Sequence, residues 1–311
     1  MASDYKVFDS SGDVLIIQIP STEPFAPFGE QTCETELGQG DANRAPKLFK
    51  AILEPDTLHN GLRRVVLRGF DSLAFQHVLN IIHHKFRLVP KTLAVEDLAK
   101  IAVIVDHLEC HDAVALAAET WVRGYNELPK DEFSRPVVLW LLVSTVFNIV
   151  PIFDSVATVA IRHGTGPLDT LGLPISKRIV ALLDERRQGR IEELITALYE
   201  LIDKLIVGTG CATVCDSYHL GRLLKRMNLC KIYPRPSDLC GISVSAVSQM
   251  VHEFGWGVFN PDFVLYGLRN DYVEGACRLV EDLYEILSTA ALPFDLSFTL
   301  RDPPIMPTSP W

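Results

Sequence analysis

The chain has 311 residues, of which 48% are hydrophobic and 22% are charged, and this balance is typical of a folded protein with enough apolar material for a core. The formal net charge is -10, and the acidic excess is divided equally between the parts before and after Tyr125. Neither part contains a basic block that would neutralise phosphates, which argues against nucleic acid as a direct partner.

The cysteine content and the N-terminus indicate a reducing compartment. Seven cysteines in a chain of this length do not suggest a disulfide scaffold. The first residues contain no basic segment that runs into an apolar one, so no secretory signal is predicted. We therefore expect reduced thiols and a cytoplasmic or nuclear location.

The first part of the chain mixes predicted strands with predicted helices. Between them, Pro20–Pro46 is rich in proline, glycine and acidic residues, which predicts a mobile surface insertion at 20–46. Asp71 stands where the N-cap of a helix belongs. In chain order, strands are predicted at Asp13–Ile19 and Arg63–Arg68, and helices at Lys47–Leu53, at Leu73–His84, from Thr92, and at Asp112–Val122.

Beyond Tyr125 the apolar periodicity predicts helices only. The most regular of them, Arg190–Val207, has a broad apolar face. The proline-rich tail at 299–311 is predicted to be disordered. The remaining helices are predicted at Arg135–Asn148, Ile152–Arg162, Ser176–Arg187, Tyr218–Met227, Ser243–Phe254 and Tyr272–Thr289.

One apolar run, Val137–Phe153, has the hydropathy of a candidate membrane span. A spanning helix needs about 20 apolar residues, whereas this run is shorter and contains Ser144, Asn148 and Pro151. The run therefore predicts a helix buried within the protein, and we expect no membrane among the partners.

The order of the predicted elements indicates two domains. Strands mixed with helices and then helices alone predict an α+β domain followed by an all-α domain. After an N-terminal tail at 1–12, we assign the α+β domain to 13–125 and the helical domain to 126–298.

Three segments of the first part resemble BTB/POZ domains, especially those of filamentous-fungal proteins. LFKAIL at Leu48–Leu53 is similar to a helix of the family, and the family's next strand and helix match Val65–Leu67 and Ala74–His83. The most specific segment is LAKIAVIVDHLECHDAVALAAETWV at Leu98–Val122. Within it, the residues at positions that the family shares are Asp106, Cys110 and Trp121.

The second part resembles the helical extension that these fungal proteins carry. The resemblance therefore covers most of the chain and implies a BTB/POZ-like domain, with a small sheet and helices, followed by an all-α domain. The similar segments are WLLVSTVF at Trp140, IFDSVATVAIR at Ile152, GPLDTLGLPI at Gly166 and CATVCDSYHLGRLLKRM at Cys211.

The resemblance implies a non-enzymatic protein–protein interaction module that acts as a scaffold or adaptor for a protein partner. Modules of this kind self-associate, recruit transcriptional co-regulators or bridge substrates to a ubiquitin ligase, so a homo-oligomer is one expectation. Only Met1–Ser11 precedes the first predicted strand, which argues against a dimer that exchanges N-terminal strands.

An alternative function is that of a substrate adaptor for a cullin-type ubiquitin ligase. Adaptors of the family place a hydrophobic-x-Glu motif shortly after the helix that LFKAIL resembles. The nearest match here, Ile52-Leu53-Glu54, still lies on that predicted helix, which weakens this alternative.

Two groups of residues have spacings found in metal sites. His107 and His111 stand at i and i+4 with Cys110 between them, the spacing of two ligands on one helical turn. The alternative is that this segment links two packed helices, with Cys110 buried as a small apolar side chain. The resemblance favours this alternative.

The second group, Cys211, Cys215 and His219, has Cys230 and Cys240 downstream and suggests a structural zinc site. No CxxC pair accompanies it, and the alternative is that these thiols pack into the protein. We therefore assign no catalytic, cofactor-binding or metal-binding residue, and keep a zinc-containing protein built on this group as a further alternative function.

Overall fold

A computed structural model describes residues 8, 14–19, 24–28, 58–59, 62–125, 128–208, 213–259, 279–294 and 296. The predicted helix Lys47–Leu53 and most of the insertion at 20–46 lie outside these residues. The strands are β1 (Val14–Ile19), β2 (Leu58–His59) and β3 (Leu62–Arg68). The helices are α1 (Ser72–Ile82), α2 (Val95–Leu108), α3 (His111–Arg123), α4 (Arg135–Val146), α5 (Val150–His163), α6 (Lys177–Val207), α7 (Thr213–Leu229), α8 (Val244–Phe259) and α9 (Leu279–Ala291), with a short 3₁₀ helix at Phe86–Leu88.

The described part of the chain is almost entirely helical, and its strands form one small sheet. The strand order is β1-β3-β2, with β1 parallel and β2 antiparallel to β3. The sheet contributes Leu67, which is buried, and Ile16, which is partly buried, to the core. The prediction of an α+β fold with a BTB/POZ-like sheet domain is therefore wrong, because helices supply nearly all of the apolar side chains that are buried among the described residues.

The start of α1 is fixed by a side-chain cap, as the sequence predicts. The backbone amides of Leu73 and Ala74 donate to Oδ1 of Asp71 over 3.0 and 2.9 Å. Lys100 of α2 lies 3.5 Å from the same carboxylate. Burial alone would raise the pKa of Asp71, but the two amides and Lys100 together lower it. The cap therefore also joins α1 to α2.

Helices α1 to α5 and the first turns of α6 share one hydrophobic core. Helix α4 is buried all round, from Val137 to Ser144, and packs against both α2 and α5. The same core thus includes residues on both sides of 125, the boundary that the sequence predicts between two domains. The run Val137–Phe153 is shared between α4 and α5, and no helix within the described residues is long and apolar enough to cross a membrane.

A single helix, α6, replaces the two helices predicted at Ser176–Arg187 and Arg190–Val207. Gly189 lies between the two predictions, but it is exposed, and one glycine within a helix costs only about 1 kcal/mol relative to alanine. The first turns of α6, including Leu183, belong to the first core. From Ile191 onward the helix packs into a second core with α7, α8 and α9. The division between the two cores therefore falls within α6.

Arg187 sits at this division and is almost completely buried. Its Nε donates to Oδ1 of Asp184 over 2.9 Å, and its Nη1 donates to the carbonyls of Leu239 and Ile242 over 3.0 and 2.9 Å. The amide of Gly241, in the same loop, donates to the carbonyl of Thr165 over 2.7 Å. The loop before α8 is thus attached both to α6 and to the segment that follows α5.

Part of the predicted insertion packs against the first core. Ala26 is buried, and Arg135 at the start of α4 donates to the carbonyls of Phe25 and Ala26 over 2.8 Å each. Arg135 also lies 2.9 Å from Glu96 of α2. These contacts hold residues 25 and 26 beside α2 and α4.

Removing the Arg187 side chain is expected to destabilise the fold strongly. In Arg187→Ala the carboxylate of Asp184 and the carbonyls of Leu239 and Ile242 each lose the hydrogen bond from Arg187, and breaking a buried ion pair typically costs about 3–5 kcal/mol. Urea unfolding measures the free energy directly. The exposed Lys177→Ala, on the same helix, is the control. Equal effects of the two substitutions would contradict the role assigned to Arg187.

Asn80 of α1 is completely buried, and neither Nδ2 nor Oδ1 of its side-chain amide has a hydrogen-bond partner among the described residues. An unsatisfied buried polar group costs about 1–3 kcal/mol. We expect Asn80→Leu to raise the free energy of unfolding by about that amount, whereas the exposed Asn228→Leu should leave it nearly unchanged. A less stable Asn80→Leu protein would show that the amide is stabilising.

Candidate interaction surface

The turn that follows α1, residues 83–91, projects apolar and basic side chains from the first core. His84 adopts a left-handed backbone with φ 59°, which ends α1 and redirects the chain. The amide of Leu88 then donates to the carbonyl of Lys85 over 2.9 Å and closes the 3₁₀ helix. We call residues 83–91 the 83–91 turn.

Phe86 and Leu88 are exposed at the tip of this turn, although both are large and apolar. Their exposed fractions are 60% and 55%. A 3₁₀ helix has three residues per turn, so Phe86, Arg87 and Leu88 point in three different directions. Arg87 is exposed as well. All three directions lead to solvent, so the 3₁₀ helix protrudes from the molecule.

The base of the turn is held by contacts from α3, from the residue Tyr125 just after it, and from Phe8. The indole Nε1 of Trp121, itself buried, donates to the carbonyl of Pro90 over 2.7 Å. The hydroxyl of Tyr125 donates to the carbonyl of Leu93. Phe8 packs against the ring of His83. The protruding side chains are therefore carried by a supported backbone.

The turn is basic within an acidic chain. From Ser72 to Val95 the sequence contains no Asp or Glu, but it contains Lys85, Arg87 and Lys91. Lys85 lies over the ring of Phe8, with its Nζ 5.3 Å from the ring centroid. Arg87 and Lys91 are exposed and have no ion-pair partner among the described residues. Two cations thus accompany the two exposed apolar side chains.

The group His107, Cys110 and His111 lies where α2 turns into α3. Glu109 adopts a left-handed backbone with φ 50°, and Cys110 occupies the N-cap position of α3 without a side-chain hydrogen bond to it. Burial raises the pKa of the Cys110 thiol to about 11, so the thiolate that binds metals is disfavoured. His107 packs on Phe70, with ring centroids 4.9 Å apart. This geometry is that of a packed link between two helices.

In the second group, Cys215 and His219 lie on the first turns of α7, one turn apart and both buried. Cys211 lies outside the described residues. Nδ1 of His219 is buried and has no hydrogen-bond partner among the described residues, and the ring packs edge-on against Phe254. Within the part of the chain that is described, no three His, Cys, Asp or Glu side chains are grouped so as to hold a metal ion. Of the downstream cysteines, Cys230 is a free thiol and Cys240 is disulfide-bonded, which departs from the expectation of reduced thiols.

A small cleft lies beside Arg187, between the start of α6 and the segment after α5. Its polar lining consists of Arg187 and Asp184. Both are occupied: Arg187 by the contacts described above, and Asp184 by Arg187 and by the amide of Gln188 at 2.7 Å. The cleft therefore presents no uncommitted polar group for a ligand.

Sequence reasoning did not select the 83–91 turn as a site. Its sequence, HHKFRLVPK, carries a usable signal, because three cations occur in a stretch without a single acid. The exposure of Phe86 and Leu88 has no such signal, since apolar side chains near a helix end are ordinarily expected in the core. The motif Ile52-Leu53-Glu54, considered for cullin binding, lies outside the described residues.

No family model, no curated protein and no solved structure matches the chain. The resemblance to BTB/POZ proteins therefore stays a prediction.

Protonation of His219 is expected to destabilise the fold at low pH. Burial and the neighbouring Arg222 lower the pKa of His219 below its ordinary 6.5, against an opposing effect of Asp216. The unfolded chain then binds the proton of His219 more tightly than the folded chain does. The contribution of neutral His219 to the free energy of unfolding is therefore fully present above about pH 6.5 and is lost as the pH falls below it.

His219→Phe is expected to reduce this loss, which urea unfolding at several pH values measures. His163, whose pKa burial also lowers, retains its own share of the pH dependence in that variant. An unchanged slope of stability against pH below 6.5 in His219→Phe would contradict the assignment.

Proposed function

We propose that this chain is a non-enzymatic protein that acts by binding a protein partner, and that the 83–91 turn is its binding surface. The observation that carries the proposal is the exposure of Phe86 and Leu88 on a supported turn. Large apolar side chains that are exposed on a supported backbone are a feature of interaction sites. Aromatic residues, including phenylalanine, and arginine are also enriched at protein interfaces.

Such a turn loses little conformational entropy on binding. Trp121 and Tyr125 hold the backbone at Pro90 and, just beyond the turn, at Leu93, which reduces the ordering that association requires. Burying Phe86 and Leu88 against a partner would recover the free energy that their exposure to water costs. We expect the partner in the cytoplasm or the nucleus.

Removing the two apolar side chains should weaken partner binding strongly without affecting the fold. In Phe86→Ala with Leu88→Ala, we expect partner recovery from extracts of the native host to fall about tenfold or more, the scale of losing hot-spot residues. The melting temperature should stay nearly unchanged, because both side chains are exposed. Affinity purification with quantitative mass spectrometry measures the recovery.

The matched control is Leu116→Ala with Leu229→Ala, which removes two apolar side chains that are 76% and 75% exposed on α3 and α7. This variant should recover the partner as the unmodified chain does. The proposal fails if neither variant changes the set of recovered proteins, or if the control loses the partner and the turn variant keeps it.

A further inference from the structure

We infer that the partner binds the 83–91 turn through a short acidic segment that also carries apolar side chains, an inference that rests on the proposed function. The first observation is local charge. The stretch Ser72–Val95 has three cations and no acid, although the whole chain has a net charge of -10. A surface of this sign attracts acidic groups.

The cations of the turn differ in availability. Lys85 is engaged with the ring of Phe8. Arg87 and Lys91 are exposed, and neither has an ion-pair partner among the described residues. Elsewhere on the described surface, basic side chains such as Arg123 and Arg226 pair with nearby glutamates at 3.1 and 2.9 Å. Arg87 and Lys91 can therefore receive carboxylates from another molecule without first breaking an ion pair described here.

The order of side chains indicates the chemistry of the ligand. Along the 3₁₀ helix the exposed residues are apolar, basic and apolar: Phe86, Arg87 and Leu88. Lys91 adds a second cation just beyond Pro90. The complement of this surface is a segment in which Asp or Glu alternates with Leu, Phe or similar side chains, so that burial and charge pairing occur together.

The overall charge favours a peptide over a membrane or a nucleic acid. At physiological salt the Debye length is about 8 Å, so a short segment docked on the turn responds mainly to the local cations. An extended anionic lipid surface or a nucleic acid would also meet the rest of an acidic chain, which repels it. Protein is therefore the class of partner to which this surface is suited.

A random-peptide phage library selected on the full chain tests the inference. We expect the enriched peptides to be acidic and to contain Leu, Phe or other large apolar residues. Their binding, measured by fluorescence anisotropy with synthetic peptides, should weaken about tenfold or more in Arg87→Glu with Lys91→Glu, and should weaken as salt is raised.

The matched control reverses two exposed lysines elsewhere, Lys130→Glu with Lys225→Glu, and so changes the net charge equally. It should bind the selected peptides as the unmodified chain does. Equal weakening in both variants would overturn the inference, because the effect would then come from net charge. Enrichment of neutral or basic peptides, or no enrichment at all, would overturn it as well.

Phosphatidylserine vesicles and a single-stranded oligonucleotide are tested on the same two variants. Vesicle or oligonucleotide binding that exceeds peptide binding and requires Arg87 and Lys91 would overturn the inference in favour of that class. The proposed function is judged separately with Phe86→Ala and Leu88→Ala. If that variant loses a protein partner while no acidic peptide binds the turn, the function stands and only the acidic character of the ligand is wrong.

Discussion

The buried contacts of Arg187 hold the two hydrophobic cores to each other. Arg187 lies where α6 passes from one hydrophobic core to the other, and it attaches the loop at Leu239 and Ile242 to that point. Because the same loop also bonds to Thr165, the two cores are fixed to each other through backbone as well as through α6. A guanidinium suits this position, since it donates to three acceptors at once.

The candidate interaction surface depends on the first of these cores. Trp121 is buried among the helices of that core and at the same time holds Pro90 at the base of the 83–91 turn. Packing of α3 thus determines where Phe86 and Leu88 are presented. The stability of the first core and the position of the turn are therefore linked. The side chains of Phe86 and Leu88 are exposed, so they contribute little to the stability of the fold and are available for binding.

Much of the helical structure was predictable from the sequence, because it follows from local rules. The cap at Asp71 and the apolar periodicity of α2, α5 and α9 depend on neighbouring residues only. The α+β assignment was wrong because local β-propensity at β1 and β3 does not reveal that helices fill the core. The continuity of α6 through Gly189 was likewise decided by packing, which no short pattern contains.

The candidate site was less predictable than the fold. The cysteine and histidine groups were considered because of their spacing. Spacing does not reveal burial, and burial raises the pKa of the Cys110 thiol and so disfavours the thiolate further. The cation-rich stretch around Lys85 was present in the sequence. What made it a surface of interest was the exposure of Phe86 and Leu88, and that depends on how α3 supports the turn.

Whether the 83–91 turn is the binding surface can be measured by hydrogen exchange of the full chain, alone and with the partner recovered from extracts. We expect slower amide exchange in residues 83–91 on binding, with little change in α7 to α9. Protection confined to α7 to α9, with unchanged exchange in residues 83–91, would contradict this expectation and would move the binding surface to the second core.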